Sequence, residues 1–141
     1  MPDQCAVIYA RQADLDAGEF VRVLNDSGLG ATRPVGDLRR IGQMLSGADL
    51  VVTARLDRPG RPLVGVARCV TDFSWCCYLS ELAVTRTAQG LGVGKGLLDH
   101  VRLELGPQVS LILASMPDAV GFYERIGMPR MPDTFCFRRE H

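Results

Sequence analysis

The stretch from Leu82 to Leu98 (LAVTRTAQGLGVGKGLL) constrains this chain more than any other. It opens as an apolar strand, passes through a glycine-rich turn and continues with apolar residues at helical spacing. Glycines at 90, 92 and 94 leave the backbone bare of Cβ atoms, so a ligand can approach it closely. The N–H groups that open the following helix lack intrahelical acceptors and sit at its positive dipole end. Strand, bare turn and helix N-terminus together predict an anion site, and a phosphate group suits it best.

The 141 residues predict one domain, 1–141, long enough to bury a core. Sixteen basic and sixteen acidic side chains cancel, which gives no global electrostatic case for nucleic acid or a membrane surface. No apolar run approaches the ~20 residues of a membrane span. Residues 1–12 carry polarity and charge early, unlike a secretion signal, so a cytoplasmic protein is expected. The five cysteines are odd in number and form no C-x-x-C pair, and neither histidine stands near one at ligand spacing. Reduced, mostly buried thiols and no metal are therefore expected.

Residues 5–11 (CAVIYAR) read as a first strand. Leu15, Phe20, Val23 and Leu24 share a helical face between Asp14 and Ser27, with Gly28 as the stop. A second helix opens at Gly36 or Asp37, places Leu38, Ile41 and Leu45 on one side and closes at Ser46-Gly47. Residues 49–55, 63–71 and 76–85 predict three strands, and the turn signals between them imply an antiparallel meander. Val93, Leu97, Leu98, Val101 and Leu105 line one face of the next helix. Residues 109–114 (VSLILA) are almost uninterruptedly apolar, which predicts a central strand covered on both faces. A short helix spans 117–126, and final strands are expected at 128–131 and 134–138, the first confined to an edge by Pro129 and Pro132. The result is an α/β (α+β) fold: a mixed, largely antiparallel sheet of six to seven strands flanked by four helices, in the order β-α-α-β-β-β-α-β-α-β-β. Exposed edges at the final strands leave room for a homodimer.

Three phosphate-binding motifs compete for the turn. A Rossmann turn needs Gly-x-Gly-x-x-Gly after the first strand of a parallel unit; here the spacing differs and a meander precedes it. A Walker loop needs four residues between Gly and Gly-Lys, then a hydroxyl; Gly90 is one residue too close to Gly94-Lys95, and Gly96 stands at the hydroxyl position. The third motif is a resemblance. Gln89-x-x-Gly92-x-Gly94, directly after Leu82-Ala83-Val84, resembles the acetyl-coenzyme A motif of the GNAT superfamily of N-acetyltransferases. Ala119-Val120-Gly121-Phe122-Tyr123 through Gly127-Met128 resembles a second signature of that family. The element order is similar from the first strand to the last.

The resemblance implies that the pyrophosphate of acetyl-coenzyme A rests on backbone amides of Gln89, Gly90, Leu91, Gly92, Val93, Gly94 and Lys95. It implies that the pantetheine arm pairs with the main chain of Leu82, Ala83 and Val84, where the fourth strand splays from the fifth. Tyr123 stands at the family's usual general acid, able to protonate a leaving thiolate. Glu81, the sole carboxylate of its strand, is the candidate base if a bulge re-aims it; strand alternation alone groups it with Leu79, opposite Tyr78 and Ser80. Met116 departs from the family's common Asn. Phe73, Trp75, Arg33, Arg39 and Arg40 are candidates for an acceptor wall. The implied activity is acetyl transfer from acetyl-coenzyme A to a primary amine of a small molecule or peptide, by direct attack in a ternary complex. The alternative is a non-catalytic acyl-coenzyme A sensor or interaction module that kept the fold.

Overall fold

The computed structural model describes residues 5–141. Strand β1 (Val7–Arg11) is followed by helices α1 (Ala17–Ser27) and α2 (Leu38–Ser46). Strands β2 (Leu50–Leu56), β3 (Leu63–Thr71) and β4 (Cys76–Val84) come next, then helix α3 (Val93–Leu105), strand β5 (Ser110–Ile112) and helix α4 (Val120–Arg125). The strands lie in chain order in one sheet. The first four are antiparallel neighbours, and β5 runs parallel to β4 after the crossover through α3.

Local chemistry sets the helix starts. Asp16 accepts a hydrogen bond from the Glu19 N–H at 3.0 Å and caps α1. Asp37, rather than Gly36, caps α2 through the Arg40 N–H at 3.1 Å, because only the carboxylate can satisfy an orphan donor. The β3–β4 turn is held by Asp72, which accepts from the N–H groups of Trp75 (2.8 Å), Ser74 (2.9 Å) and Cys76 (3.2 Å). Those bonds hold its carboxyl below the ordinary carboxylate range.

The sheet is covered on both sides. Val93, Leu97, Leu98 and Val101 of α3 pack on Val52, Ala67 and Leu79, while Phe20, Val23 and Leu24 of α1 and Ile41 of α2 pack on Val51, Val66 and Ala83. Phe20 is wholly buried, which contributes about 1.5–3 kcal/mol by transfer alone.

Several expectations are corrected. The described residues form five strands, not six or seven. Residues 128–131 and 134–138 make no strand; Pro129 and Pro132 remove two ladder donors, and the segment beyond them runs exposed. Strand β5 is not central. It is three residues long, half-buried, and ends the sheet beside β4. The cause lies in β4. Arg68 pairs with Glu81 and Cys69 with Leu79, so Ser80 has no partner in β3. Such a bulge bends its strand and increases local twist. Pairing with β5 accordingly covers only Cys76, Cys77 and Tyr78. The bulge also divides Leu79 from Glu81, which simple alternation grouped together: Leu79 packs under α3, whereas Ala83 packs under α1 and α2, and Leu82 and Val84 return to the α3 side. Leu38 is 64% exposed rather than facing the core, because it precedes the first inward turn of α2.

Candidate active site

A cavity of about 600 Å³ opens where β4 parts from β5. Its walls come from β4 (Leu79 to Val84), the β4–α3 turn, the segment from Leu113 through α4, and the loop after α1. Beyond Tyr78, no described strand pairs with the side of β4 that faces β5. An extended ligand can add there as a strand. One position on this edge is already in use: the Gln89 side chain donates to the Val84 carbonyl at 3.1 Å.

The edge leads to the turn. Gly90 and Gly92 adopt φ of 83° and 78°, the left-handed region that a Cβ disfavours. Gly92 caps α3 with no side chain bonded to the helix end. The first helical bond closes from the Gly96 N–H to the Gly92 carbonyl at 2.9 Å. The amides of Val93, Gly94 and Lys95 therefore lack a helical acceptor and point toward the dipole's positive end. A Cβ on Gly90 or Gly92 would meet nothing within 4 Å, so the space over the turn is open to a ligand. Gly96 is bare for a different reason: a Cβ there would collide with the Tyr9 hydroxyl. The Lys95 ammonium is engaged on the helix surface with Asp99 at 2.7 Å and does not line the cavity. Leu91 is also outside its walls and 64% exposed.

Tyr123 lines the cavity from α4 and packs edge-on against Phe122, ring centroids 4.9 Å apart. Burial raises its pKa above the ordinary phenol value, so it holds its proton through neutral pH. Phe122 lies 3.0 Å from where a Cβ on Gly94 would stand, which ties α4 to the start of α3.

Glu81 is 1% exposed and bonded on both oxygens. Oε2 accepts from Arg33 Nε at 2.7 Å and from Ser80 Oγ at 2.7 Å, and Oε1 accepts from Arg68 Nε. Arg33 Nη2 also donates to the Ser80 carbonyl at 2.8 Å, and Arg68 Nη1 to the Met44 carbonyl of α2 at 3.0 Å. Burial by itself would raise the Glu81 pKa, but the hydrogen bond and charge of Arg68, with the bonds from Ser80 and Arg33, hold it below the ordinary glutamate range. Two arginines thus clamp the bulge from the loop before α2 and from β3.

The cavity gathers Leu82, Ala83, Val84, Gln89, Gly90, Gly92, Val93, Gly94 and Tyr123 of the expected residues. Arg33 and Met116 also line it; Phe73, Trp75, Arg39 and Arg40 do not. Arg68 was not foreseen as part of this cluster. Its signal was legible: a guanidinium in the middle of the apolar run LVGVARCVT demands a buried partner, and Glu81 lies in the next strand. Asp26 was missed as well; it accepts from the Arg86 N–H at 2.9 Å and fixes the entrance to the turn.

The sequence model of the family described as "Acetyltransferase (GNAT) domain" matches residues 38–138, most of the chain. The chain belongs to the GNAT acetyltransferase family. Membership places it among acyltransferases, and the family generally draws on acetyl-coenzyme A. An uncharacterized N-acetyltransferase of Prochlorococcus marinus is 28% identical over 133 residues, which cover 92% of this chain and 72% of the relative. Among solved structures, a Staphylococcus aureus protein of unknown function superposes with a TM-score of 0.75 at 18% identity, over 96% of this chain and 100% of that one. A GNAT family acetyltransferase of Streptococcus pneumoniae superposes with a TM-score of 0.70 at 20% identity, over 96% and 100%. At these identities the two structures establish a shared GNAT fold. No described helix is long and apolar enough to cross a membrane.

Proposed function

We propose that residues 1–141 form one acetyltransferase domain that moves acetyl from acetyl-coenzyme A to a primary amine of a small molecule or peptide, by direct attack in a ternary complex. One observation carries the reading: the unpaired side of β4 runs straight into the uncapped start of α3, with Tyr123 in the same cavity. An extended, phosphate-bearing co-substrate matches that sequence of surfaces. The main chain of Leu82 to Val84 holds the arm, and the amides from Gln89 to Lys95 hold the phosphates.

Catalysis rests mostly on positioning. Tyr123 keeps a proton on Oη and delivers it to the leaving sulfur. The five cysteines are free, and Cys69 and Cys77 are buried in the core rather than exposed in the cavity, so no thiol stands ready for a covalent acetyl-enzyme. Glu81 is better placed as a positioning residue than as a base. Its carboxylate is fully bonded and held ionised at low proton affinity, which suits a clamp on the bulge and not proton uptake from an ammonium. The amine proton then leaves through water.

The test is thiol release from acetyl-coenzyme A over a panel of amines and peptides, with binding measured in parallel by calorimetry. Binding followed by acceptor-dependent thiol release is the expected result. Binding without release on any acceptor would return the reading to a non-catalytic acyl-coenzyme A sensor.

A further inference from the structure

With the co-substrate's phosphates at the turn and its arm on Leu82 to Val84, the acetyl end faces the next stretch of β4, Ser80 and Glu81. Arg33 lines the cavity together with Thr32 and Ser80. Its side chain is 21% exposed, against 9% for Arg68 and 1% for Glu81. Two guanidiniums share one carboxylate here, and among the described residues no other carboxylate lies within ion-pair distance of either. The cluster therefore carries an excess positive charge, and Arg33 is the member that reaches the cavity wall. The other charged side chains of the wall, Asp118 and Arg125, have opposite signs. Arg33 also keeps bonding capacity. Nε donates to Glu81, Nη1 to the Thr32 hydroxyl at 2.9 Å and carbonyl at 3.3 Å, and Nη2 to the Ser80 carbonyl. Nη2 carries a second N–H, which has no acceptor among the described residues. A half-enclosed cation with a spare donor calls for an anion.

We propose that the acceptor is a small amine that also carries an anionic group, a carboxylate or a phosphate, and that this group binds at Arg33. The inference rests on the acetyl-transfer reading and names the acceptor class for it. The charge also bears on how the amine loses its proton, since Glu81 is bonded on both oxygens and does not serve as a base. An anionic group near an amine favours the ammonium form, which cannot attack the thioester. Pairing with Arg33 weakens that hold, and the excess positive charge of the cluster itself disfavours ammonium. The proton then passes more readily to water. The same charge rejects acceptors with a second ammonium, because juxtaposed like charges are costly.

Thiol release from acetyl-coenzyme A is measured on the parent protein with β-alanine, its amide, aminoethyl phosphate and propanediamine. At least one of the two anionic acceptors should exceed the neutral amide in kcat/KM by about tenfold or more, and the diamine should be poorest. The better of the two identifies the anion as carboxylate or phosphate. Arg33→Gln, checked for an unchanged far-ultraviolet spectrum, should bring the anionic acceptor and the amide to about the same kcat/KM, chiefly through a higher KM for the anion. Lost support of the bulge would instead lower all acceptors together and keep their ratio. Arg33→Lys retains the charge and should retain the order. A parent protein that turns over the amide or the diamine as well as the anionic acceptors, or better, overturns the inference and leaves acetyl transfer standing. A preference unchanged in Arg33→Gln, or a reversed order in Arg33→Lys, does the same. Coenzyme A binding with no release on any acceptor overturns both.

Discussion

Glu81 and Tyr123 present opposite uses of an ionisable group. Glu81 is enclosed between α2, β3 and the loop before α2, and each of its oxygens is bonded to an arginine. Tyr123 lines the cavity from α4, which Glu81 does not, and burial is the only cause of its raised pKa. Both residue types could in principle exchange a proton with substrate. A group whose bonding capacity is already spent inside the chain holds the structure, whereas a group left open toward the cavity can meet a ligand. The same division separates the Lys95 ammonium, paired with Asp99, from the open amides beside Gly92.

The largest expected effect breaks the clamp. Glu81→Ala leaves Arg33 and Arg68 without their counter-charge and should cost about 3–5 kcal/mol of stability, the usual cost of stripping one partner from a buried pair. Thermal and urea unfolding would show it. The parent should also lose stability on acidification: the folded-state pKa of Glu81 is lowered, so its contribution is complete above the unfolded-state value of about 4.3 and fades as pH falls through the folded one. Glu81→Gln should flatten that acid limb. If Glu81→Gln instead unfolds normally and loses kcat together with the acidic limb of the pH–rate profile, Glu81 is a base and the contrast with Tyr123 collapses.

Tyr123→Phe should lower kcat by about 100-fold, within the range for a lost general acid, with coenzyme A affinity nearly unchanged. An unchanged kcat removes Tyr123 from the chemistry. Because its pKa is raised, no loss of rate from its ionisation should appear below the ordinary phenol value of about 10.

Gly92→Val forces a β-branched residue into a φ of 78° and should cost about 1–3 kcal/mol of stability. It should also weaken coenzyme A binding by about tenfold or more, or about 1.4 kcal/mol. Gly96→Ala should destabilise through Tyr9 and leave affinity largely intact. Equal loss of affinity in both variants would show that the turn acts only through packing. The smallest effect belongs to Lys95→Ala, which breaks an exposed pair: about 0.5 kcal/mol or less, and little change in affinity. A large affinity loss there would place the ammonium on the phosphates.

Much of this was legible in local sequence. Helical spacing, turn residues and the glycine turn depend on near neighbours, and they located the first four strands and all four helices to within a few residues. The second motif put Tyr123 on α4, because Phe122 and Tyr123 must share a short amphipathic helix. What failed depended on pairing across distance. The apolar run 109–114 has the composition of a central strand, and composition cannot tell whether a neighbour is present on each side.

The sequence by itself determined the order of elements from β1 through α4 and the bare turn before α3, and its two motifs carried the resemblance to the family. The elements and the turn follow from propensities and spacings within a dozen residues. Only the tertiary structure decided that Ser80 is an unpaired bulge residue, that β4 and β5 part beyond Tyr78, and that Glu81 is clamped rather than free. Those outcomes turn on register. A shift of one residue in a strand exchanges its two faces, and that shift is set by partners far away in the chain.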